Sequence, residues 1–104
     1  MGVLVTLRAK ANAEVLEERA GANPDGMQGI LAKAVPHGLI THRFYANDAG
    51  EVLVVDEWET AEGFQAFFKE AEAEIGPMMA AAGMTAPPEV TFWRKLDSHD
   101  DYPR

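Results

Sequence analysis

The tightest constraint on this chain lies between residues 38 and 58. Gly38–Ala46 and Glu51–Trp58 are both rich in β-formers, and Asn47-Asp48-Ala49-Gly50 separates them with residue types that tolerate tight-turn dihedrals. The pattern predicts an antiparallel hairpin. Thr60 then offers an N-cap, and Phe64, Phe67, Phe68, Ala71 and Ile75 fall on one stripe of a helix.

The flanks repeat the theme. Val3–Ala9 alternates Val3, Val5 and Leu7 against Leu4, Thr6 and Arg8, which predicts a strand. Asn12 can cap a helix opening at Ala13, and the stretch from Gly21 to Gly26 interrupts it. Met27, Ile30, Leu31, Ala34 and Val35 restore the helical period up to Pro36, so the expectation is one broken helical connection. Gly76-Pro77 is expected to end the second helix, with Met78–Ala82 as a short extra turn, and Glu89–Leu96 is the last strand. The order β-α-β-β-α-β predicts an α+β, ferredoxin-like domain with both helical layers on one face of an antiparallel sheet. One domain over residues 1–96 and an acidic tail over 97–104 are expected.

With 104 residues, the chain can bury one modest core. Its net charge of −8 repels phosphate backbones, and no basic patch offsets it, so nucleic acid is not an expected partner. No apolar run approaches the roughly 20 residues of a membrane helix. The first apolar run meets Arg8 too soon for a secretory signal, which makes a cytoplasmic location the simplest expectation. There are no cysteines, so disulfides, thiolate metal sites and Cys nucleophiles are excluded.

Pairing the hairpin symmetrically places Ala46 opposite Glu51, Phe44 opposite Leu53, His42 opposite Val55 and Ile40 opposite Glu57. Leu39, Thr41, Arg43 and Tyr45 then share the other face with Val52, Val54, Asp56 and Trp58. The helices are expected on the first face. The second mixes apolar and polar groups and would expose a large apolar patch in a monomer. Packing two such sheets face to face in a symmetric homodimer resolves this, with either a filled core or a pocket between them. A void of roughly 300 Å3 or more there would favour a binding site.

Asp56, then Trp58 at the strand end, then the Thr60-capped helix resemble the dimeric α+β barrels of the antibiotic biosynthesis monooxygenase-like superfamily. With the element order, the resemblance spans about Val3 to Leu96. It implies a homodimeric barrel that binds small molecules, with members that include cofactor-independent oxygenases of aromatic polyketides and heme-degrading oxygenases. At the positions where the heme-degrading branch carries Trp and His, this chain has Phe67 and Pro77, and neither can ligate iron. No cofactor is therefore expected.

Several residues are candidates for chemistry. His42 is a possible general base, since imidazole is the side chain that changes charge nearest neutrality; set between Ile40 and Phe44, it could equally be a hydrogen-bonded core residue. Arg43 and Asp56 are expected on the same open face, where they could hold an enolate and a proton or form a structural ion pair. Tyr45, Trp58 and Trp93 could hold a flat aromatic ligand. Trp58 and Trp93 could instead anchor a strand corner or a dimer core. His37 sits in a loop and His99 in the tail, with no ligand spacing, so no metal site is expected. Met78, Met79 and Met84 could form a pliable lid or a short capping helix. The alternative to an enzyme is a non-catalytic barrel that binds a metabolite or a partner.

Overall fold

A computed structural model describes residues 2–104. The elements are β1 (Val3–Lys10), α1 (Ala13–Ala22), α2 (Pro24–Ala34), β2 (Leu39–Ala46), β3 (Glu51–Trp58), α3 (Ala61–Ala81) and β4 (Glu89–Arg94), with a 3-10 turn at Val35–His37 joining α2 to β2. The four strands form one sheet in the order β2-β3-β1-β4, and every neighbouring pair is antiparallel. β1 and β2 therefore run parallel on either side of β3, and β3 and β4 on either side of β1. This is the split βαβ, ferredoxin-like α+β arrangement.

The helix starts follow local chemistry. The Asn12 side chain accepts from the Val15 N–H at 3.1 Å, and the Thr60 hydroxyl accepts from the Gly63 N–H at 3.0 Å. Asn23 serves two helices: its backbone N–H closes α1 on the Arg19 carbonyl, and its side chain caps α2 through Gly26. Pro24 occupies the first helical position, where its missing N–H costs nothing. The connection is thus two separately capped helices rather than one broken one.

Two further boundaries differ from expectation. α3 continues through Pro77 to Ala81, and no separate helix follows. Proline forfeits a hydrogen bond there, but continuation buries Met79 and delivers Ala82 into a cluster with Leu16 and Val52. Tertiary burial outweighs local propensity at this point. β4 stops at Arg94, two residues short of Leu96.

The main core joins Val5 and Leu7 of β1, Trp58 of β3, Ala34 of α2, and Phe64, Phe67 and Ala71 of α3. Trp58 and Val5 are fully buried, and Phe64 and Phe67 meet the indole at ring-centroid distances of 5.6 and 5.4 Å. Two glycines permit this packing. A Cβ on Gly63 would sit 2.1 Å from the His37 carbonyl oxygen, so only glycine lets the first turn of α3 rest on the 3-10 turn. Gly38, at φ +103°, reverses the chain into β2 and accepts from the Glu59 N–H.

The hairpin register is shifted by one residue from the symmetric expectation. Ala46 pairs with Val52, Phe44 with Val54 and His42 with Asp56, which leaves a five-residue loop, Asn47–Glu51. Asn47 explains the odd length, because its side-chain oxygen accepts from the N–H groups of both Ala49 and Glu51. A one-residue slip moves every side chain to the other face. His42 and Phe44 therefore face the helices together with Val52, Val54 and Asp56, while Thr41, Arg43 and Tyr45 share the open face with Leu53, Val55 and Glu57. An irregularity between Leu39 and Thr41 pairs Leu39 with Trp58 and returns it to the helical side.

Candidate functional site

The shifted register brings three polar groups together beneath the helices. His42 and Asp56 are directly paired across β2 and β3, and Trp58 follows Asp56 by two residues on the same face. Asp56 is the one buried charged residue among those described, at 5% exposure. Both of its oxygens are engaged: Oδ1 lies 2.7 Å from His42 Nδ1, and Oδ2 accepts from Trp58 Nε1–H at 3.1 Å. A buried carboxylate needs such partners, because a charge left unpaired away from water is costly.

This arrangement assigns the protons. A carboxylate accepts, so His42 Nδ1 carries a hydrogen, and in the neutral ring Nε2 then presents a lone pair. Nε2 has no hydrogen-bond partner among the described residues. The ring is steadied by an edge-on contact with Phe44, at a centroid distance of 5.1 Å. An oriented imidazole backed by a carboxylate is the base half of a catalytic triad. The nucleophile half is missing, because no Ser, Thr, Cys or Lys lines the surrounding cavity. The geometry supports proton transfer without covalent catalysis.

His42, Asp56 and Trp58 border an apolar cavity of about 80 Å3 between sheet and helices. Leu7, Phe44 and Val54 form its floor, Ile30, Leu31 and Ala34 its α2 wall, and Phe64, Phe67, Phe68 and Ile75 its α3 wall. That is about half the ~150 Å3 of an engineered cavity that admits benzene. Outside it lies a larger cleft of about 520 Å3 between α1, α2 and α3. Met27, Ile30 and Met78 line both spaces and form the neck between them. Rotation of two unbranched methionines can widen such a neck at little cost.

The other sequence candidates lie elsewhere. Arg43 and Asp56, expected on one face, are on opposite faces of the sheet, and the Arg43 guanidinium donates to the His42 carbonyl at 2.8 Å. Tyr45 and Trp93 are on the open face, 56% and 52% exposed. Trp93 Nε1–H donates to Thr6 Oγ1 at 2.9 Å, which lays the indole along β1. His37 pairs with Glu70 at 2.7 Å on the surface. No group of three or more potential metal ligands occurs among the described residues. Sequence reading did not link Met27 and Ile30 to the site, although their helical spacing with Leu31 and Ala34 was the available signal.

No protein-family model matches this sequence, and no curated protein matches it. Solved structures do. A monooxygenase from the gene ActVA-Orf6 of Streptomyces coelicolor, in complex with nanaomycin D, superposes with a TM-score of 0.68 at 16% identity, covering 91% of this chain and 88% of that one. A dimeric ferredoxin-like protein from an uncultured marine organism gives a TM-score of 0.65 at 15% identity, over 91% and 88% of the two chains. A conserved protein from Methanosarcina mazei Go1 gives 0.64 at 14% identity, over 92% and 94%. The chain has the ferredoxin-like fold of the antibiotic biosynthesis monooxygenase-like proteins.

Proposed function

We propose that this protein binds a flat, largely apolar molecule between its sheet and helices, and that His42, oriented by Asp56, removes a proton from it. The observation that carries this reading is the Trp58–Asp56–His42 chain, buried at its Trp58 end and bordering an apolar cavity, with Asp56 bonded to His42 Nδ1 so that Nε2 is the ring nitrogen left for a ligand. The fold shared with a ligand-bound monooxygenase adds support.

The reaction class that fits best is cofactor-independent oxygenation of an aromatic or polyketide-like substrate. A methylene flanked by two arenes, acidified through them by a ketone across the same ring, loses a proton to Nε2. The resulting carbanion reduces dioxygen, a C–O bond forms, and the imidazolium returns its proton to give a hydroperoxide. Loss of the second C–H proton with cleavage of the O–O bond expels water and leaves a ketone. The balance is CH2 plus O2 giving C=O plus H2O. The protein supplies the base and a dry apolar enclosure, which keeps the carbanion from being quenched by water.

The test is oxygen uptake with a tricyclic anthrone as substrate; it exceeds the cavity of about 80 Å3, so its outer rings must reach past Met27, Ile30 and Met78 into the cleft. His42→Ala and Asp56→Asn are expected to lose at least 100-fold in rate, in line with general-base contributions of about 10²–10⁴. Unchanged rates in both variants would overturn the assignment. The small size of the inner cavity favours a second reading, a filled non-catalytic barrel with a structural or interaction role, because ligand pockets usually run to about 300–1,000 Å3. Absence of both anthrone binding and oxygen uptake would select it.

The open face supports a homodimer. Leu4, Tyr45 and Trp93 are exposed there with Leu53 and Val55, interleaved with Thr6, Arg8, Arg43 and Glu57, a mixed surface that a second copy of the sheet would cover. In this reading Arg43, Tyr45 and Trp93 belong to the interface.

A further inference from the structure

The outer cleft offers a chemistry that the inner cavity lacks. The inner cavity contains only His42 and Asp56 as charged or titratable groups, and they are bonded to one another. The cleft outside the methionine neck is lined by Arg19, Asn23 and Glu74 among smaller apolar residues. Glu74 is neutralised by an ion pair with Lys33. Arg19 has no carboxylate partner among the described residues, in a chain with 17 acidic residues and 9 Lys and Arg. Asn23 accepts the Gly26 N–H through Oδ1, and its Nδ2 has no acceptor among those residues. Arg19 and Asn23 border the cleft as exposed residues with no protein partner for these donors, which leaves them available to a ligand there, beyond the neck from the apolar cavity.

We infer that the ligand is an amphiphilic acid, its apolar end in the inner cavity and its carboxylate held in the outer cleft by Arg19 and Asn23. This rests on the inner-cavity reading above. A guanidinium presents a planar fork that matches a carboxylate's two oxygens. Met27, Ile30 and Met78 line both spaces, so a linker between the two ends would pass among them. The inner cavity alone is smaller than most ligand sites. Joined to the cleft across this neck, it reaches their range. Arg19 is then a specificity residue that selects charged ligands and takes no part in proton transfer.

The experiment uses octanoate, whose slim unbranched tail suits the small inner cavity, and its methyl ester, titrated calorimetrically against the full chain and three variants, Arg19→Ala, Arg19→Lys and Lys69→Ala. Lys69→Ala removes an equal charge from α3 away from both spaces. The acid is expected to bind about fivefold more tightly than the ester, the scale of an exposed ion pair. Arg19→Ala should erase that preference and leave ester binding unchanged, Arg19→Lys should restore part of it, and Lys69→Ala should keep it. Equal binding of acid and ester to the unmodified protein, or an Arg19→Ala variant that retains the preference, overturns the carboxylate site while the inner-cavity reading stands. Binding of neither compound overturns both.

Discussion

Replacing Asp56 tests the buried polar chain on which the site depends. Asp56→Ala leaves two donors without acceptors. Trp58 is fully buried, so its indole N–H cannot turn to water and bears the whole cost of an orphaned buried donor, about 1–3 kcal/mol. The His42 side chain is 22% exposed, so its Nδ1–H can regain some hydration and its cost falls at the lower end, about 1 kcal/mol. The expected loss is about 3 kcal/mol, which for a domain of this size lowers Tm by roughly 10–20 °C. Asp56→Asn keeps an oxygen for Trp58 and exchanges a charge-assisted bond for a neutral one. About 1–2 kcal/mol is then expected. It also turns an NH2 toward His42 Nδ1, which forces the proton onto Nε2 and removes the base. Urea unfolding at constant m-value measures both losses. The order should run from the unmodified protein through Asp56→Asn to Asp56→Ala. In a Trp58→Phe background, Asp56→Ala should cost at least about 1 kcal/mol less, since one orphaned donor is gone. An alanine variant as stable as the unmodified protein would refute the hydrogen-bonded burial of this carboxylate.

Gly63→Ala should destabilise by about 1–3 kcal/mol, because the added methyl meets the His37 carbonyl oxygen at 2.1 Å and backbone must move; thermal unfolding reads this directly. Trp93→Arg, which puts a charge into the open face, should shift the protein from dimer to monomer in sedimentation velocity while its circular dichroism stays the same. A dimer that persists would place the interface elsewhere. Arg43→Ala should leave anthrone oxidation within about twofold of the unmodified rate, because the guanidinium lies across the sheet from the cavity and a surface charge contributes little there.

The element order was legible because each signal was local. Asn12 and Thr60 announced helix starts through their own side chains, and both strands of the hairpin ended where the turn residues began. The face of each hairpin residue was not legible, because it hinges on one added residue in the loop. Asn47-Asp48-Ala49-Gly50 looks like a four-residue turn, but Asn47 closes the loop on Glu51 and makes it five. Composition could not correct the error, since both candidate faces carry similar numbers of apolar residues. That slip separated His42 from Asp56 on paper and put Asp56 beside Arg43, whereas the folded sheet pairs the two site residues directly. Pro77 is the converse case. A strong local stop signal is overridden by the burial of Met79 and Ala82, contacts with residues far away in the chain.

The central claim is that His42 presents an unprotonated Nε2 to a ligand inside the protomer. A long-range 1H–15N spectrum of histidine-labelled protein, recorded under nitrogen with and without the anthrone, tests it most directly. His37, whose Nε2 carries the hydrogen shared with Glu70, serves as an internal reference for a ring bonded through the other nitrogen. The account predicts that His42 carries its proton on Nδ1 and that its Nε2 signal alone moves when the anthrone is added. A proton on His42 Nε2, or a His42 signal that stays still while the anthrone binds, would contradict it.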